Sequence, residues 1–344
     1  MMKIHKVLAF LLIALTACVG VIYAADQPAK PAHKSGGAIE NAFDFDADDL
    51  DASPSVCDRD SRTDPLSMWF DELIHSLCKH DDSDSLLGAY FITLPSLWGH
   101  GEADQHLLDR AYAVGKANPK VLWVVAITND CRPKGTVCQG YQRAIFAAQA
   151  LTRIDPDNAM SWFALAYATN RDDTPDRANS ALRRAAQASR VHDYDFDLLK
   201  HAVAISGRIP VPKVALATDG FPSSPELVRW TITGTTPWIS ALFKKWIIDG
   251  CGAENFEKPY ERTGLCASAR AQFKHGDSLM TLSGDAAAFA GVPADLQGRM
   301  PRASWVGGIS DEEYAKAIIP AIVESSSERK MYTKLMARLG LKKK

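Results

Sequence analysis

The chain has 344 residues, of which 47% are hydrophobic, and its formal net charge at pH 7 is −2. Its 39 basic residues are balanced by 41 acidic ones and form no basic stripe, so a nucleic-acid partner is not expected. This length is sufficient for one large domain or two modest ones.

Residues 1–24 are predicted to be a signal peptide, because two lysines precede an uncharged apolar run that ends at small residues. Cleavage after Ala24 is one outcome. Lipidation of Cys18 is another, since residues 15–18 resemble a bacterial lipobox, and an uncleaved membrane anchor is the third. All three place the body of the protein outside the cytoplasm, in the periplasm or cell envelope.

Residues 25–56 are predicted to be a disordered acidic linker. Prolines and a Ser-Gly-Gly run come first, and five aspartates follow between residues 44 and 51. Such a composition cannot bury enough apolar surface to offset its ordering entropy. A solvated linker is the favoured interpretation, with a spacer or an acidic lure for a basic partner as the alternative.

Residues 57–208 show helical spacing of apolar residues. A turn at residues 155–158 starts a helix that carries Trp162, Leu165 and Ala166, and a second helix follows with Ala178, Leu182 and Ala185. This pattern resembles the tetratricopeptide repeat, a two-helix unit of about 34 residues. Two positions depart from that family's pattern: Thr169 replaces a tyrosine and Arg190 a proline.

Two weaker repeats precede this one, so the resemblance covers residues 86–190. The nearer repeat has Trp123 and Ala126 in its first helix, with Ala144, Ala148, Leu151 and Pro156 in and after its second. The farther repeat is carried by Phe91, Leu94, Leu107, Ala111 and Pro119. The resemblance implies stacked helical hairpins.

The resemblance also implies a concave face, lined by the first helix of each hairpin, that could hold a peptide or a partner helix. The residues predicted to bind a partner there are Ile92, Ser96, Val124, Thr128, Phe163, Tyr167 and Asn170. The alternative is that these side chains pack under a following helix or a terminal cap.

Residues 209–344 are predicted to form a C-terminal helical region, with the boundary between Ile209 and Pro225. Two helices are expected to start at residues 224–226 and at residues 236–237. The capping box of residues 310–313 is expected to start one last helix, which Pro320 is expected to kink. The predicted fold class is therefore all-α: a helical-hairpin superhelix followed by further helices and braced by local disulfides.

Six cysteines follow the leader and are expected to pair with their neighbours in an oxidising compartment. The predicted disulfides are Cys57–Cys78, Cys131–Cys138 and Cys251–Cys266. A possible metal-binding group consists of His75, Cys78 and His80, which lie close together in the sequence. A zinc site requires four ligands and a recognisable second cluster, which is not found in the sequence, so neither a metal nor a cofactor is expected.

No sequence motif for catalysis is present, and the protein is not predicted to be an enzyme. His100, Glu102 and His106 form the most polar group and are interpreted as a solvated turn, while His201 is predicted to be a buried core residue. The favoured function is an exported envelope binding or scaffold protein for a protein or peptide partner. A periplasmic inhibitor or immunity protein and a cell-wall hydrolase are the alternatives.

Overall fold

A computed structural model describes residues 65–94, 105–128, 139–171, 175–216, 224–233, 239–252, 259–275 and 310–340. The chain divides into two compact units, Met1–Ser53 and Pro54–Lys344. All the described residues lie in the second unit. The regions predicted on either side of residue 209 therefore belong to one compact unit.

The described residues form helices and no strand, which confirms the all-α fold class. The helices of the first half are α1 Pro65–Cys78, α2 Ser83–Thr93, α3 Gln105–Val114, α4 Pro119–Thr128, α5 Gln139–Ile154, α6 Ala159–Arg171, α7 Pro175–Gln187 and α8 Asp195–Ser206. Those of the second half are α9 Lys213–Leu216, α10 Pro225–Thr233, α11 Ala241–Ile248, α12 Pro259–Arg270, a 3-10 helix Ala271–His275, α13 Asp311–Val323 and α14 Glu328–Arg338.

Helices α2 to α7 form three consecutive hairpins, in which α2 packs on α3, α4 on α5 and α6 on α7. The first helices also contact one another along the row, α2 with α4 and α4 with α6. Fully buried small residues such as Ala144, Ala148 and Ala166 allow the helix backbones to approach closely. The predicted hairpins are therefore present.

Two asparagines start the first helices of the second and third hairpins. Asn118 Oδ1 accepts a hydrogen bond from the Lys120 amide at 3.1 Å, and Asn158 Oδ1 accepts one from the Met160 amide at 3.1 Å. Each side-chain amide also reaches another element: Asn118 Nδ2 donates to Asp84 at 2.7 Å, and Asn158 Nδ2 donates to the His192 carbonyl at 3.0 Å. These side chains hold successive elements in register.

Helix α8 is buried on two sides. One side, with Leu198, Ala202 and Ile205, joins the core of the hairpins, and the opposite side, with Phe196 and Leu199, joins a second core formed by α13 and α14. A helix that is apolar all round is expected to be buried in this way. Helix α8 therefore connects two cores.

The prediction for His201, which lies on α8, is confirmed. The side chain is buried, and its Nε2 atom lies 2.7 Å from the Asp84 carbonyl oxygen of α2. Close approach of the two helices is also visible at Gly88, where an added Cβ would lie 2.7 Å from Ile205 Cδ1.

The C-terminal end of the chain differs from the prediction of one kinked helix. The capping box of Ser310 and Glu313 is present, but α13 ends at Val323, three residues after Pro320. A new helix, α14, begins after the N-cap Ser327, whose hydroxyl accepts a hydrogen bond from the Lys330 amide. The N-cap at Ser327 thus divides into two helices a segment that the sequence pattern predicted to be one helix.

Of the predicted disulfides, Cys251–Cys266 is present and both cysteines are fully buried. Cys78 is also disulfide-bonded. Cys57, Cys131 and Cys138 lie outside the described residues, as do Cys18 and the whole predicted leader and linker.

Candidate functional site

The residues predicted to bind a partner are mostly inaccessible. Ile92, Val124, Phe163 and Tyr167 are at most 6% exposed, so the expectation that they line an open face is wrong. Thr128 and Asn170 are partly exposed. Ser96 lies outside the described residues.

The physical reason is that the second half of the chain covers this side of the hairpins. We call the side that carries Trp123, Phe163, Tyr167 and Asn170 the covered face. The ring of Phe243 in α11 lies edge-on to both Trp123 and Tyr167, at centroid distances of 5.2 and 5.4 Å. Helix α11 therefore packs over α4 and α6 together.

Two further aromatic contacts extend this cover. Trp246 of α11 lies 5.3 Å from the Tyr167 ring, and Phe273 of the 3-10 helix lies 5.4 Å from the Phe163 ring. Edge-to-face aromatic pairs add about 0.5–1.5 kcal/mol each beyond the area they bury. The alternative given above, packing under a following helix, describes the protein correctly.

Arg262 of α12 makes the polar contact to the covered face. Its guanidinium donates to Asn170 Oδ1 and to Asn179 Oδ1, both at 2.6 Å, and the residue is 1% exposed. Burial lowers the pKa of Arg262 to about 10, so the group stays charged at neutral pH. Arg262 thereby fastens α12 to both helices of the third hairpin.

A tight turn between α11 and α12 brings the backbone against the same asparagine. Gly250, Cys251 and Gly252 all have positive φ, and a Cβ on Gly252 would lie 2.7 Å from Trp246 Nε1 and 3.0 Å from Asn170 Nδ2. Glycine is therefore required at residue 252 for both space and conformation. The disulfide from Cys251 to Cys266 closes the connection.

A buried group of charges, which we call the Asp195 cluster, lies beside the covered face. It consists of Asp193, Asp195, Lys244, Ser240 and Trp123. Lys244 Nζ lies 2.5 Å from Asp195 Oδ2 and 3.5 Å from Asp193 Oδ2. Trp123 Nε1 donates to Asp195 Oδ1 at 3.0 Å, and the Ser240 hydroxyl donates to Asp195 Oδ2. The cluster joins α4, α8 and α11.

The electrostatics of this cluster follow from its burial and from the presence of two carboxylates beside one ammonium group. Burial and the adjacent Asp193 carboxylate raise the pKa of Asp195. Burial disfavours the ammonium form of Lys244, but the carboxylates of Asp193 and Asp195 outweigh it and raise the pKa of Lys244. Lys244 is therefore positively charged at neutral pH.

Ser240, the N-cap of α11, lies one turn before Lys244, a spacing that invites comparison with a serine–lysine catalytic pair. Such a lysine must be neutral to take the proton of the serine hydroxyl. Lys244 is held in its charged form, and Ser240 directs its hydroxyl to Asp195. This arrangement is suited to fixing the position of α11.

The remaining sequence candidates lie only partly within the described residues. His106 is partly buried in α3, whereas His100 and Glu102 lie outside the described residues. Cys78 is disulfide-bonded and is not available as a thiolate metal ligand. Within the described ranges no group of three or more His, Cys, Asp or Glu side chains could hold a metal ion.

None of the helices in the described part of the chain combines the length and the apolar character needed to cross a bilayer. Comparison with known proteins finds no family model that matches the sequence, no curated protein that matches it and no solved structure that matches its fold.

Trp123 is the member of the covered face that the repeat pattern misplaced. The pattern placed Trp123 and Trp162 in the first helices of successive repeats and assigned the following residues, Val124 and Phe163, to the predicted binding face. Trp162, however, is half-buried and donates its Nε1 to the Pro156 carbonyl at 2.7 Å. Counting from the capping residues gives a different register, since Trp123 follows Asn118 by five residues as Phe163 follows Asn158. The asparagine caps were the sequence signal from which the buried position of Trp123 could have been predicted.

Proposed function

We propose that this protein is an exported, non-catalytic binding or scaffold protein that recognises a protein partner through the outer surfaces of its helical hairpins. The observation that carries the proposal is the filling of the covered face by α11, α12 and the 3-10 helix. The chain's own helices brace the hairpins from within. Recognition is therefore assigned to the surfaces that point away from this cover.

The proposal retains the tetratricopeptide-like interpretation of the hairpins. It is supported by the fit between the sequence pattern and the two helices of the third hairpin, where Ala166, Ala178, Leu182 and Ala185 are all fully buried. Small buried residues at these places allow close helix pairing, which is what the pattern provides in repeat proteins. A rigid stack of this kind presents fixed side chains at little entropic cost on binding.

Export is supported by two features. The uncharged apolar stretch of residues 7–25 has the composition of a signal peptide. Disulfides such as Cys251–Cys266 persist in oxidising compartments. Both features agree with a protein of the cell envelope.

The test combines localisation with partner capture. The full chain, expressed with its leader in a bacterial host, is expected in the envelope fraction with its cysteines oxidised, as measured by fractionation and intact mass. A tagged chain is then expected to retain a partner from envelope extracts, and the purified partner is expected to bind the purified chain directly. A Phe243→Ala variant, which loses the internal brace, serves as the control for dependence on the folded stack.

Two results would count against the proposal. One is a chain that stays in the cytoplasm with reduced thiols. The other is a purified chain that degrades cell-wall polymer with turnover and without a partner.

A further inference from the structure

Helix α14 carries a local excess of positive charge that the charge balance of the whole chain conceals. Residues 328–344 contain seven basic residues and one acidic residue. Four of the basic residues reach the surface of α14, and we call them the basic face: Arg329, Lys330, Lys334 and Arg338. The other three are the lysines of residues 342–344, which lie outside the described residues.

The basic face is continuous because its members belong to one helix. Lys330, Lys334 and Arg338 follow one another at intervals of four residues, so each lies about 6 Å further along the helix axis than the one before. The opposite side of α14 is held by packing, since Met331 and Leu335 are buried in the second core. The second core therefore keeps this row of basic side chains at the surface.

Two members of the basic face share one carboxylate at the turn between α13 and α14. Lys334 Nζ lies 3.5 Å from Glu324 Oε2, and Arg338 forms an ion pair with Oε1 of the same residue. The hydrogen bond from Arg338 lowers the pKa of Glu324, so this carboxylate is charged at neutral pH. Two positive charges thus meet one negative charge.

The same turn is in contact with two further ammonium groups. Lys330 Nζ donates to Ser326 Oγ at 2.9 Å, and Lys200 Nζ of α8 donates to the Ser325 carbonyl at 3.2 Å. The acceptors in both contacts are neutral, so neither contact cancels the charge of its lysine. These lysines therefore add to the positive charge around the turn.

The other acids of α13 and α14 are buried or distant from the basic face. Glu328 begins α14 but is 2% exposed, and its charge acts on the buried Lys244. The acids of residues 311–313 occupy the first turn of α13, about 15 Å or more along that helix from its end at Val323. That separation exceeds the screening length of about 8 Å at physiological salt. With Glu324 included, four positive groups and one negative group leave a net charge of +3 on this surface.

Two observations favour a membrane surface as the partner of this face. Val323, directly before Glu324, is 59% exposed, so an apolar side chain lies beside the basic row, a combination typical of proteins that bind at a lipid interface. The second observation concerns the leader. Two of its three predicted outcomes, lipidation of Cys18 and an uncleaved anchor, keep the chain attached to a bilayer. A single lipid chain gives stable attachment only with a second signal, such as a polybasic surface.

We propose that the basic face binds anionic lipid headgroups at a membrane surface, while the opposite side of α14 stays packed in the second core. Each lysine or arginine near an anionic bilayer is attracted to it, and the attraction falls off within a screening length. An ammonium group acts as a point charge and needs no fixed partner geometry, which suits a fluid surface. This inference goes beyond the proposed function, because it requires no protein partner.

The test is co-sedimentation of the full chain, processed by its bacterial host, with vesicles of phosphatidylglycerol and phosphatidylcholine. Vesicles of phosphatidylcholine alone measure any contribution of the leader or its lipid, which all variants share. Lys330→Glu/Lys334→Glu is expected to bind the anionic vesicles at least about tenfold more weakly, because two attractive charges become repulsive. Lys330→Gln/Lys334→Gln is expected to weaken binding in the same direction by a smaller factor, and it keeps the test decisive if circular dichroism shows that the glutamate variant is misfolded. Binding of the native chain is expected to fall as salt concentration rises.

Arg177→Glu/Arg184→Glu is the matched control, since it makes the same change of net charge at two exposed arginines of α7. It is expected to bind the anionic vesicles within about threefold of the native chain. Equal weakening by this control, or equal binding of the native chain to vesicles with and without phosphatidylglycerol, would overturn the proposal. Tighter binding of polyglutamate or single-stranded DNA than of the vesicles, lost in Lys330→Glu/Lys334→Glu, would overturn it as well, because the basic face would then take another class of anion.

The two proposals can fail separately. A Lys330→Glu/Lys334→Glu variant that loses the anionic vesicles but still captures an envelope protein supports the membrane proposal and leaves the protein-binding function intact. A native chain that captures an envelope protein but does not bind the anionic vesicles refutes the membrane proposal alone.

Discussion

The ammonium group of Lys244 in α11 lies 2.5 Å from the carboxylate of Asp195 at the start of α8, inside the protein. Asp193 lies on the other side of the same ammonium group, at 3.5 Å. One ammonium group is thus shared by two buried carboxylates, and this relationship fixes the helix that covers the hairpins.

Replacing Lys244 with methionine is expected to destabilise the protein by about 3–5 kcal/mol, because two carboxylates would remain buried without a counter-charge. The measurement is the free energy of unfolding from a urea titration. Lys245→Met is the control, since Lys245 is exposed and its ion pair with Asp249 lies at the surface, where such pairs contribute about 0–1 kcal/mol. Similar losses for the two variants would contradict the assignment of Lys244 to the core.

Phe243→Ala is expected to cost about 3–5 kcal/mol, because Phe243 is fully buried between Trp123 and Tyr167. Tryptophan emission is expected to shift to longer wavelength as water reaches Trp123. Leu242→Ala, one residue earlier on the same helix and 56% exposed, provides the comparison. An unchanged emission spectrum in Phe243→Ala would show that α11 does not cover this face.

Gly252→Ala is expected to destabilise the protein by about 1–3 kcal/mol, since a side chain there is strained at φ +70° and also meets Trp246 and Asn170. Gly250 separates the two effects: its φ is +93°, but nothing lies within 4 Å of an added Cβ. Gly250→Ala is therefore expected to cost less than Gly252→Ala in the same thermal unfolding experiment. The reverse order would indicate that the turn packs elsewhere.

Stability is expected to fall as the pH drops below about 6.5 through the protonation of His201. Burial lowers the pKa of His201 from its ordinary value of 6.5, so the unfolded chain takes up the proton first. The contribution is fully present above pH 6.5 and is lost as the pH falls through the lower pKa of the folded state. Urea titrations across this range are expected to show a smaller pH slope in His201→Gln.

His192 provides the opposite case. Its hydrogen bond with Asp197, at 2.8 Å, raises the pKa of His192 above 6.5. The stability it contributes is therefore present below pH 6.5 and is lost as the pH rises through the folded-state pKa. His192→Gln is expected to remove a loss of stability with rising pH above pH 6.5, whereas His201→Gln removes a gain of stability with rising pH below pH 6.5. A change of the same sign in both variants would refute the assignment.

The sequence pattern was sufficient for local structure. The helical spacing of Leu165 and its neighbours in α6, and of Ala178 and Leu182 in α7, identified the third hairpin. The apolar neighbours of His201 identified a core histidine. Both are properties of one helix and its immediate partner, which periodicity encodes directly.

The cover over the hairpins could not be predicted in the same way, because it depends on contacts between distant parts of the chain. Trp123 and Phe243 are far apart in the sequence, and no local spacing relates them. Lys244 and Lys245 are adjacent in the sequence, yet the side chain of the first is largely buried against Asp195 and that of the second is exposed. Which of two adjacent lysines points inward is decided only when α11 docks.

The position of α8 between two cores has a consequence for how the protein matures. A fragment that stops near residue 208 would leave Phe196 and Leu199 without α13 and α14, and the ring of Phe163 without Phe273. Such a fragment would expose these apolar side chains to water, and we expect it to aggregate. The second core can therefore be completed only after α13 and α14, near the C-terminal end of the described residues, have been synthesised.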